Sequence, residues 1–377
     1  MTRQMVALLG RRDEPTDAVE EYCRYLADAL RAHDYEMNLV RVHWAERGWS
    51  AALQELRRQA ADWRDQWVSV QYTALAWSAR GLPFRVLQVL RVLRQAGART
   101  VVVCHDVEPF DGKRVVDKLR HAVQLHVMRK LLRRADLAIF TVPLNAVRSL
   151  AASTLHTTFI PVGANLPPAL SVNEKRRHPA REVLRVSVFG ITGGNAGRRE
   201  ADRIIKAMVF AASRIGKLEL HAFGRHADDC EDQLREGLRD SSVDLQVKGV
   251  LPADDVVAEL STSDVLLFVR GPISTRRGSA VAGIACGLPV IAEGGPESSG
   301  PIEEAGVVKV RIEPARELAE ALLRVLTEPS YRAQLAEQSR IAHERYFSWP
   351  AIAARYAEEL QRKSYSDTAG ASGRAPR

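Results

Sequence analysis

Short apolar runs alternate with helical patterns along the whole chain. Runs rich in valine, isoleucine and leucine predict strands that are buried on both faces, and apolar residues at i, i+3 and i+4 predict helices packed on a sheet. In the first half the predicted strands are Val6–Gly10, Leu39–Val42, Trp67–Gln71, Thr100–Cys104, Leu137–Val142 and Phe159–Val162. In the second half they are Leu184–Gly190, Leu218–Phe223, Gln246–Val250, Val265–Val269, Pro289–Ala292 and Val307–Val310. This alternation predicts an α/β protein with parallel sheets.

The pattern is interrupted after Pro167-Pro168 by a polar and basic stretch, Ser171–Arg181. Because 377 residues exceed the size of one ordinary hydrophobic core, the interruption predicts an interdomain linker. We expect two doubly wound domains, with bounds of 1–168 for the first, 169–182 for the linker and 183–345 for the second. A last helix over 346–363 and a disordered polar tail over 364–377 complete the prediction. Ligands of such domains bind where the parallel strands end, so the chemistry is expected on the loops after strands.

The net charge of +8 predicts an anionic partner, and nucleic acid, anionic lipid and sugar nucleotide all fit that description. Positive charge is densest over residues 113–134, where basic and apolar residues alternate. The segment is either a basic amphipathic helix that contacts a membrane or a helix with a solvated face packed on the sheet.

The longest apolar runs fall far short of the roughly 20 residues that span a bilayer, and the first run is too short for a signal peptide. We therefore expect a cytoplasmic protein, with peripheral contact with the inner face of a membrane as an option. Four cysteines without paired spacing argue against a zinc site or a disulfide framework and predict buried thiols; they are Cys23, Cys104, Cys230 and Cys286.

A glycine-rich loop with two arginines follows the first strand of the second domain. Gly193 and Gly194 lie in this loop, and Arg198 and Arg199 come directly after it. Such a loop suits phosphate, because the backbone can approach closely and the start of a helix attracts negative charge. The spacing is neither that of a dinucleotide fingerprint nor that of a P-loop, and the alternative is a flexible turn with exposed arginines.

A second anion-binding pattern precedes a helix of small residues, Ala280–Ala285. Arg276 and Arg277 can supply charged hydrogen bonds, Gly278 allows close approach of the backbone, and Ser279 is the predicted N-cap. Together with the loop around Gly193 these residues predict a cradle for a diphosphate. The alternative is an ordinary joint between a helix and a strand, with arginines at the surface.

In the first domain, His105 and Asp106 follow the strand Thr100–Cys104 at its carboxyl end. A histidine at that position points to the ligand-binding edge of the sheet, with Asp106 as its orienting neighbour. Asp106, Glu108 and Asp111 are all candidates to accept a proton from a hydroxyl group. The alternative is a histidine that is hydrogen-bonded at the end of a strand and has no chemical role.

Three blocks carry a resemblance to a known family. The runs ACGLPVIA, FIPVGANLP and FSWPAIAARYAEEL occur in the order found in GT-B glycosyltransferases. The chain resembles the retaining, nucleotide-sugar-dependent enzymes usually numbered as family four. The resemblance implies two Rossmann-like domains that face each other across a cleft, with the helix at 346–363 crossing back to the first. It also implies a nucleoside-diphosphate sugar as donor and neither a metal nor a bound cofactor.

The resemblance also implies roles for single residues. Arg198 or Arg199 corresponds to a basic residue that contacts the diphosphate, Gly224 begins the nucleotide-base pocket, and His105 contacts the transferred sugar. Two glutamates of the family are missing, since Ser274 and Ala282 stand at their positions. The first of those glutamates faces the donor sugar and the second the ribose, so both the retaining outcome and activity itself are left open.

We therefore expect a metal-independent glycosyltransferase that moves a sugar to a hydroxyl acceptor, namely a polysaccharide, a glycolipid or a small glycoside. One alternative is an inactive GT-B protein that binds sugar nucleotide or serves as a partner subunit. A GT-B epimerase or phosphorylase is a further rival, although no lysine marks a covalent cofactor site in the second domain. Nucleic acid is not expected as a partner, since charge alone suggests it.

Overall fold

The computed structural model describes residues 2–14, 16–110, 112, 114–147, 156–167, 182–311 and 315–372. Asp111 and all but the last residue of the predicted linker lie outside these ranges. The chain divides into two compact units, one of Met1–Pro161 with Trp349–Arg377 and one of Val162–Ser348. The second unit begins earlier than the predicted linker, because the amide of Val162 donates to the carbonyl of Thr275 at 3.2 Å.

The first unit contains a six-stranded parallel sheet with the strand order β2-β1-β3-β4-β5-β6. Its strands are β1 Arg3–Leu9, β2 Tyr35–Arg41, β3 Trp67–Tyr72, β4 Arg99–Cys104, β5 Leu137–Phe140 and β6 Thr157–Phe159. Five helices of this unit are α1 Ala18–Leu30, α2 Trp44–Arg47, α3 Trp49–Ala60, α4 Val86–Gln95 and α5 Val115–Leu132. The strand order reverses between β1 and β3, which marks the place where ligands bind in doubly wound sheets.

The last helix, Trp349–Ser372, belongs to the first unit. The ring of Trp349 stacks on that of Tyr25 at 5.5 Å, and the hydroxyl of Tyr356 lies 2.9 Å from that of Ser69 in β3. The sequence predicts an end at residue 363 with a disordered tail after it. This prediction is wrong up to Ser372, because the segment contains no proline and the helix continues through it.

The second unit contains another six-stranded parallel sheet, with the order β12-β11-β10-β7-β8-β9. Its strands are β7 Leu184–Phe189, β8 Leu218–Phe223, β9 Val243–Val247, β10 Val265–Phe268, β11 Val290–Glu293 and β12 Val307–Val310. Its helices are α6 Gly194–Ile215, α7 Glu231–Leu238, α8 Ala253–Ser261, α9 Gly278–Ala285, α10 Pro301–Glu304, α11 Ala315–Thr327 and α12 Pro329–Ala342, followed by a π-helical turn at His343–Phe347. Here the strand order reverses between β7 and β10.

Each sheet buries an apolar core between its strands and helices. Val6, Val68 and Val102 belong to the first core, and Val186 and Leu267 to the second. All four cysteines, each within the described residues, are buried and none forms a disulfide. The predicted fold class, two doubly wound parallel sheets flanked by helices, is confirmed.

Two details of the prediction are wrong. The strand β9 lies at Val243–Val247 and not at 246–250, because it is an edge strand in which polar and apolar residues alternate and its apolar run is weak. The helix α7 was not predicted at all. The same is true of the short helices α2 and α10, whereas the other predicted strands agree with the observed ones to within a few residues.

Candidate functional site

The loop before α9 begins the candidate site at the carboxyl edge of the second sheet. Helix α9 starts at Gly278 with Arg277 as its N-cap, and no side chain caps its first amide groups. The prediction of Ser279 as N-cap is therefore wrong. The helix lies unusually close to β10, since a Cβ on Gly283 would stand 2.4 Å from the Leu266 side chain. Small residues thus fix the helix start against the sheet edge, with its amide groups available to an anion.

Arg277 is half-buried, and among the described residues no carboxylate forms an ion pair with it. Its Nε atom is buried without a hydrogen-bond partner among the described residues. Burial lowers the pKa of Arg277, and the charges of Arg276 and Arg270 lower it further, against the opposing charges of Glu297 and Glu200. An arginine stays protonated in spite of such shifts, so the site holds a buried positive charge that an anion would stabilise.

Arg270 is the second desolvated cation of the site, and the sequence reasoning missed it. It follows β10, and its Nη1 atom lies 3.1 Å from where a Cβ on Gly190 would stand. Burial lowers its pKa, the charge of Glu200 opposes this shift, and the charge of Arg225 adds to it. The Nε atom of Arg270 is also buried without a partner among the described residues. Gly190, at the end of β7, has φ +80° and leaves the space that the guanidinium occupies. The charge of Arg270 also acts on Arg277, so both arginines belong to the edge where the strand order reverses.

The glycine-rich loop is joined to these arginines through Glu200. This buried carboxylate accepts a hydrogen bond from the amide of Thr192 at 2.7 Å, and its charge acts on both Arg270 and Arg277. Gly193 is the N-cap of α6, and the ring of His226 covers it, with Cε1 3.3 Å from where a Cβ would stand. The loop around Gly193 and the start of α9 thus belong to one site.

The other predicted arginines are placed differently. Arg276 forms a two-pronged ion pair with Glu297, with distances of 2.9 and 3.1 Å, so its guanidinium is already satisfied. Helix α6 begins at Gly194, earlier than predicted, and both Arg198 and Arg199 are exposed residues within it. The charge of Arg198 acts on the thiol of Cys230, beside the start of α7.

Gly224 follows β8 with φ +90°, a backbone conformation that favours glycine. Its amide donates to the carbonyl of Gly249 at 2.9 Å, which joins the loop after β8 to the loop after β9. Ser274 and Ala282, which stand where the family has glutamates, are both buried. The Ser274 hydroxyl has no hydrogen-bond partner among the described residues, so a third polar group of this edge is unsatisfied, after Arg270 and Arg277.

At the carboxyl edge of the first sheet, His105 is held by a residue that sequence reasoning missed. Its Nε2 atom lies 2.8 Å from Oε1 of Gln71, and its ring meets that of Tyr22 edge-on at 5.1 Å. Asp106 accepts a hydrogen bond from the amide of Ala74 at 2.7 Å. The only signal for Gln71 was its position, a polar residue near the carboxyl end of a buried strand.

A cavity of about 230 Å³ lies at this edge, where the strand order reverses between β1 and β3. Its lining mixes apolar residues with hydrogen-bonding ones, and the latter include Arg11, Arg41, Gln71, Thr73 and Asp106. Arg41 is compensated within the protein, since it donates to Asp17 at 3.0 Å and to Glu20 at 2.6 Å. The cavity therefore offers many hydrogen-bonding groups with little net charge, as suits a polyhydroxylated ligand.

Within the ranges the structure describes, no group of three histidine, cysteine, aspartate or glutamate side chains is arranged to hold a metal ion. Across the described helices, none is long and apolar enough to cross a membrane.

No protein-family model matches the chain. A curated relative is a GDP-mannose-dependent monoacylated alpha-(1-6)-phosphatidylinositol monomannoside mannosyltransferase of Corynebacterium glutamicum. The two are 27% identical over 254 residues, which is 62% of this chain and 64% of the relative. The chain thus matches somewhat less than two thirds of the relative's length.

Several solved structures are similar over nearly the whole chain. Sucrose-phosphate synthase from Thermosynechococcus elongatus has a TM-score of 0.69 and 18% identity, covering 97% of this chain and 100% of that one. Anabaena HepE in complex with UDP and glucose has a TM-score of 0.65 and 14% identity, covering 96% and 100%. WaaG, a glycosyltransferase involved in lipopolysaccharide biosynthesis, has a TM-score of 0.63 and 15% identity, covering 94% and 98%. The resemblance drawn from the sequence is confirmed: the chain has the GT-B fold of glycosyltransferases.

Proposed function

We propose that this GT-B chain is a glycosyltransferase that moves a sugar from a nucleoside-diphosphate sugar to a hydroxyl acceptor without a metal ion or a bound cofactor. The observation that carries the proposal is the pair of desolvated arginines, Arg270 and Arg277, at the strand-order reversal of the second sheet. Their two positive charges, to which no described carboxylate is hydrogen-bonded, match the two negative charges of a diphosphate diester.

The same charges assist the reaction. When the bond between the anomeric carbon and the β-phosphate oxygen breaks, negative charge grows on that oxygen. Arg270, Arg277 and the first amide groups of α9 are preorganised to stabilise it, in the way that a metal ion would. The Ser274 hydroxyl and Gly278 complete this side of the donor site in our proposal, while Gly193, Gly194 and Gly224 let the backbone approach the nucleotide.

The acceptor is assigned to the first sheet edge. We propose that its hydroxyl group binds in the 230 Å³ cavity, where Asp106 accepts the proton as the acceptor oxygen bonds to the anomeric carbon. His105, held by Gln71, is proposed to contact the transferred sugar. Arg198 and Arg199 remain proposed diphosphate contacts, secondary to Arg277 because both are exposed.

The name of the curated relative indicates which donors to try first. GDP-mannose is the donor in that name, whereas the Anabaena structure contains UDP and glucose. We propose that the enzyme is cytoplasmic and that the nucleotide of its donor is either GDP or UDP.

An inactive sugar-nucleotide-binding protein is the second candidate. Ser274 and Ala282 favour it, since neither carries the carboxylate that the resembling enzymes have at these positions. The outcome of binding and turnover measurements separates the two candidates.

Calorimetric titration with UDP, GDP, UDP-glucose and GDP-mannose, followed by assays of donor hydrolysis, tests the proposal. We expect one nucleoside diphosphate to bind and its sugar to be hydrolysed slowly or transferred. Binding without turnover on any acceptor would establish the inactive form. If none of the four ligands binds, the assignment of the site is wrong.

A further inference from the structure

We infer that the loops after β3 and β4, together with the first half of α5, form a surface that docks on an anionic lipid bilayer, so that the acceptor is a lipid-linked molecule. The second half of this inference rests on the proposed function. The docking face consists of six exposed apolar side chains, Leu75, Phe84, Phe110, Val115, Val116 and Leu119.

These side chains are concentrated in one part of the chain. The described residues include nine exposed large hydrophobic side chains, and the six between residues 75 and 119 are all in the first unit. Val115 is 85% exposed and Leu119 58%, one turn apart on α5. Folding leaves this much apolar surface in water only at a cost, which burial in a bilayer would recover.

Hydrogen bonds gather the three segments into one face. Gln124 of α5 accepts from the amide of Phe110 at 2.7 Å and donates to the carbonyl of Gly81 at 2.9 Å. Arg120 donates to the carbonyl of Arg80 at 3.1 Å, which fixes the loop that carries Phe84 against the same helix. A Cβ on Gly81 would lie 4.0 Å from Leu75, so Leu75 stands beside this loop.

The charge around the face has the sign that an anionic bilayer attracts. Residues 113–134 contain eight lysines and arginines and a single acid, Asp117. Asp117 is buried, and it is occupied by the amide of Arg114 and by the guanidinium of Arg120. Among the described residues, no carboxylate forms an ion pair with the exposed side chains of Arg114 and Lys118, since Asp117 pairs with Arg120. Cations interleaved with aliphatic side chains are typical of helices that lie at a membrane surface.

The docking face is continuous with the proposed acceptor cavity. Leu75 is 56% exposed and also lines that cavity, beside Thr73 and Asp106. A molecule whose polar head occupies the cavity would pass its next atoms over Leu75 and reach the apolar face. This arrangement fits an acceptor that is anchored in the bilayer, whereas a fully water-soluble sugar would gain nothing from an apolar surface beside the cavity.

Flotation with lipid vesicles tests the docking face. We expect the full chain to float with vesicles of phosphatidylcholine and 30% phosphatidylglycerol and to bind pure phosphatidylcholine much more weakly. The double variant Val115→Asp/Leu119→Asp should lose about tenfold or more of this binding, because charges replace inserted side chains. The matched control is Ile341→Asp, which changes an exposed apolar residue of the second unit and should bind as the wild type does.

A second pair of variants tests the charge. Arg114→Gln/Lys118→Gln should weaken binding on the order of 25-fold at low salt, about fivefold for each cation. The control Lys217→Gln/Arg239→Gln removes two exposed cations of the second unit and should change little. Failure to float with the anionic vesicles, or equal flotation of the Val115/Leu119 variant, would overturn the inference and leave a protein partner as the occupant of this face.

Transfer from labelled GDP-mannose or UDP-glucose to extracted membrane lipids tests the acceptor class. Label in the organic phase supports a lipid-linked acceptor, and label only in water-soluble product overturns it. Nucleotide titration of the same variants keeps the two proposals apart. If the protein binds vesicles but no nucleotide, the proposed function is wrong and the docking face is supported. If it binds a nucleotide but no vesicles, only the docking face is wrong.

Discussion

The carboxyl edges of the two sheets differ in how their polar groups are satisfied. At the first edge Arg41 donates to Asp17, Glu20 and the carbonyl of Gly10, and Gln71 holds His105. At the second edge Arg270 and Arg277 are desolvated, and no described carboxylate forms a hydrogen bond with either.

This difference indicates what each edge can bind. A compensated edge gains little from an ion, since its charges already have partners, but it can exchange hydrogen bonds with hydroxyl groups. An edge with buried, unpaired cations is destabilised until an anion arrives. Two six-stranded parallel sheets, each with one reversal of strand order, are thereby suited to different ligands, a hydroxyl-bearing one and a diphosphate.

Removing the unpaired cations is expected to have the largest effect. The variant Arg270→Gln/Arg277→Gln should weaken binding of the preferred nucleoside diphosphate by about 10³-fold, since each charged hydrogen bond contributes roughly 1.5–3 kcal/mol. Calorimetry measures the change. The matched control Arg198→Gln/Arg199→Gln should cost less than about threefold. Equal losses of nucleotide affinity in the two double variants would mean that the glycine-rich loop and its exposed arginines bind the anion.

Changes at the first edge should spare donor binding. His105→Ala is expected to reduce turnover by about 100-fold with an unchanged dissociation constant for the nucleotide, because His105 lies on the other sheet. Gln71→Ala should reduce turnover less, since it acts by orienting His105. Steady-state kinetics and titration of each variant check this separation. A parallel loss of nucleotide affinity would contradict the division of labour between the edges.

The position of Arg270 can be tested through Gly190. Gly190→Ala adds a Cβ 3.1 Å from the Arg270 guanidinium at φ +80°, so we expect backbone strain of about 1–2 kcal/mol and a roughly fivefold loss of nucleotide affinity. Gly216→Ala is the matched control, with φ +95° and no atom within 4 Å of the new Cβ. It should lower the free energy of unfolding similarly and leave affinity unchanged. If Arg270 lies beside Gly190 as described, Gly190→Ala must bind the nucleotide more weakly than Gly216→Ala does; equal affinities would contradict that position.

The smallest effect concerns the compensated edge at acid pH. Burial by itself would raise the pKa of Glu20, but hydrogen bonds from Arg24 and Arg41 outweigh it and lower the pKa below 4.5. The folded state then binds fewer protons than the unfolded one, so this stabilisation is complete above pH 4.5 and declines as the pH falls through the lowered value. Denaturant unfolding should show a shallower decline below pH 4.5 for Glu20→Gln. An unchanged slope would show that this ion-pair cluster contributes little.

Much of the fold and part of the site were predictable from local pattern. Alternating apolar runs and helical periods determined two doubly wound domains, because burial on both faces of a parallel strand leaves a continuous apolar signature. His105 was predicted from its place after a strand, and Arg277 from its place before a helix of small residues. Helix ends and the edge strand β9 were less certain, since their signals are weak.

Only the tertiary structure decided which arginines are unpaired. Arg276 and Arg277 are neighbours in sequence, yet Glu297, 21 residues later, takes the first and leaves the second. Arg270 reaches Gly190 because β10 lies beside β7, a pairing of strands 80 residues apart that local sequence does not encode. The sequence by itself determined which charged residues lie in the loops that follow the strands. Their charge balance depended on long-range contacts, because an ion pair is set by distance in the folded molecule and not by spacing along the chain.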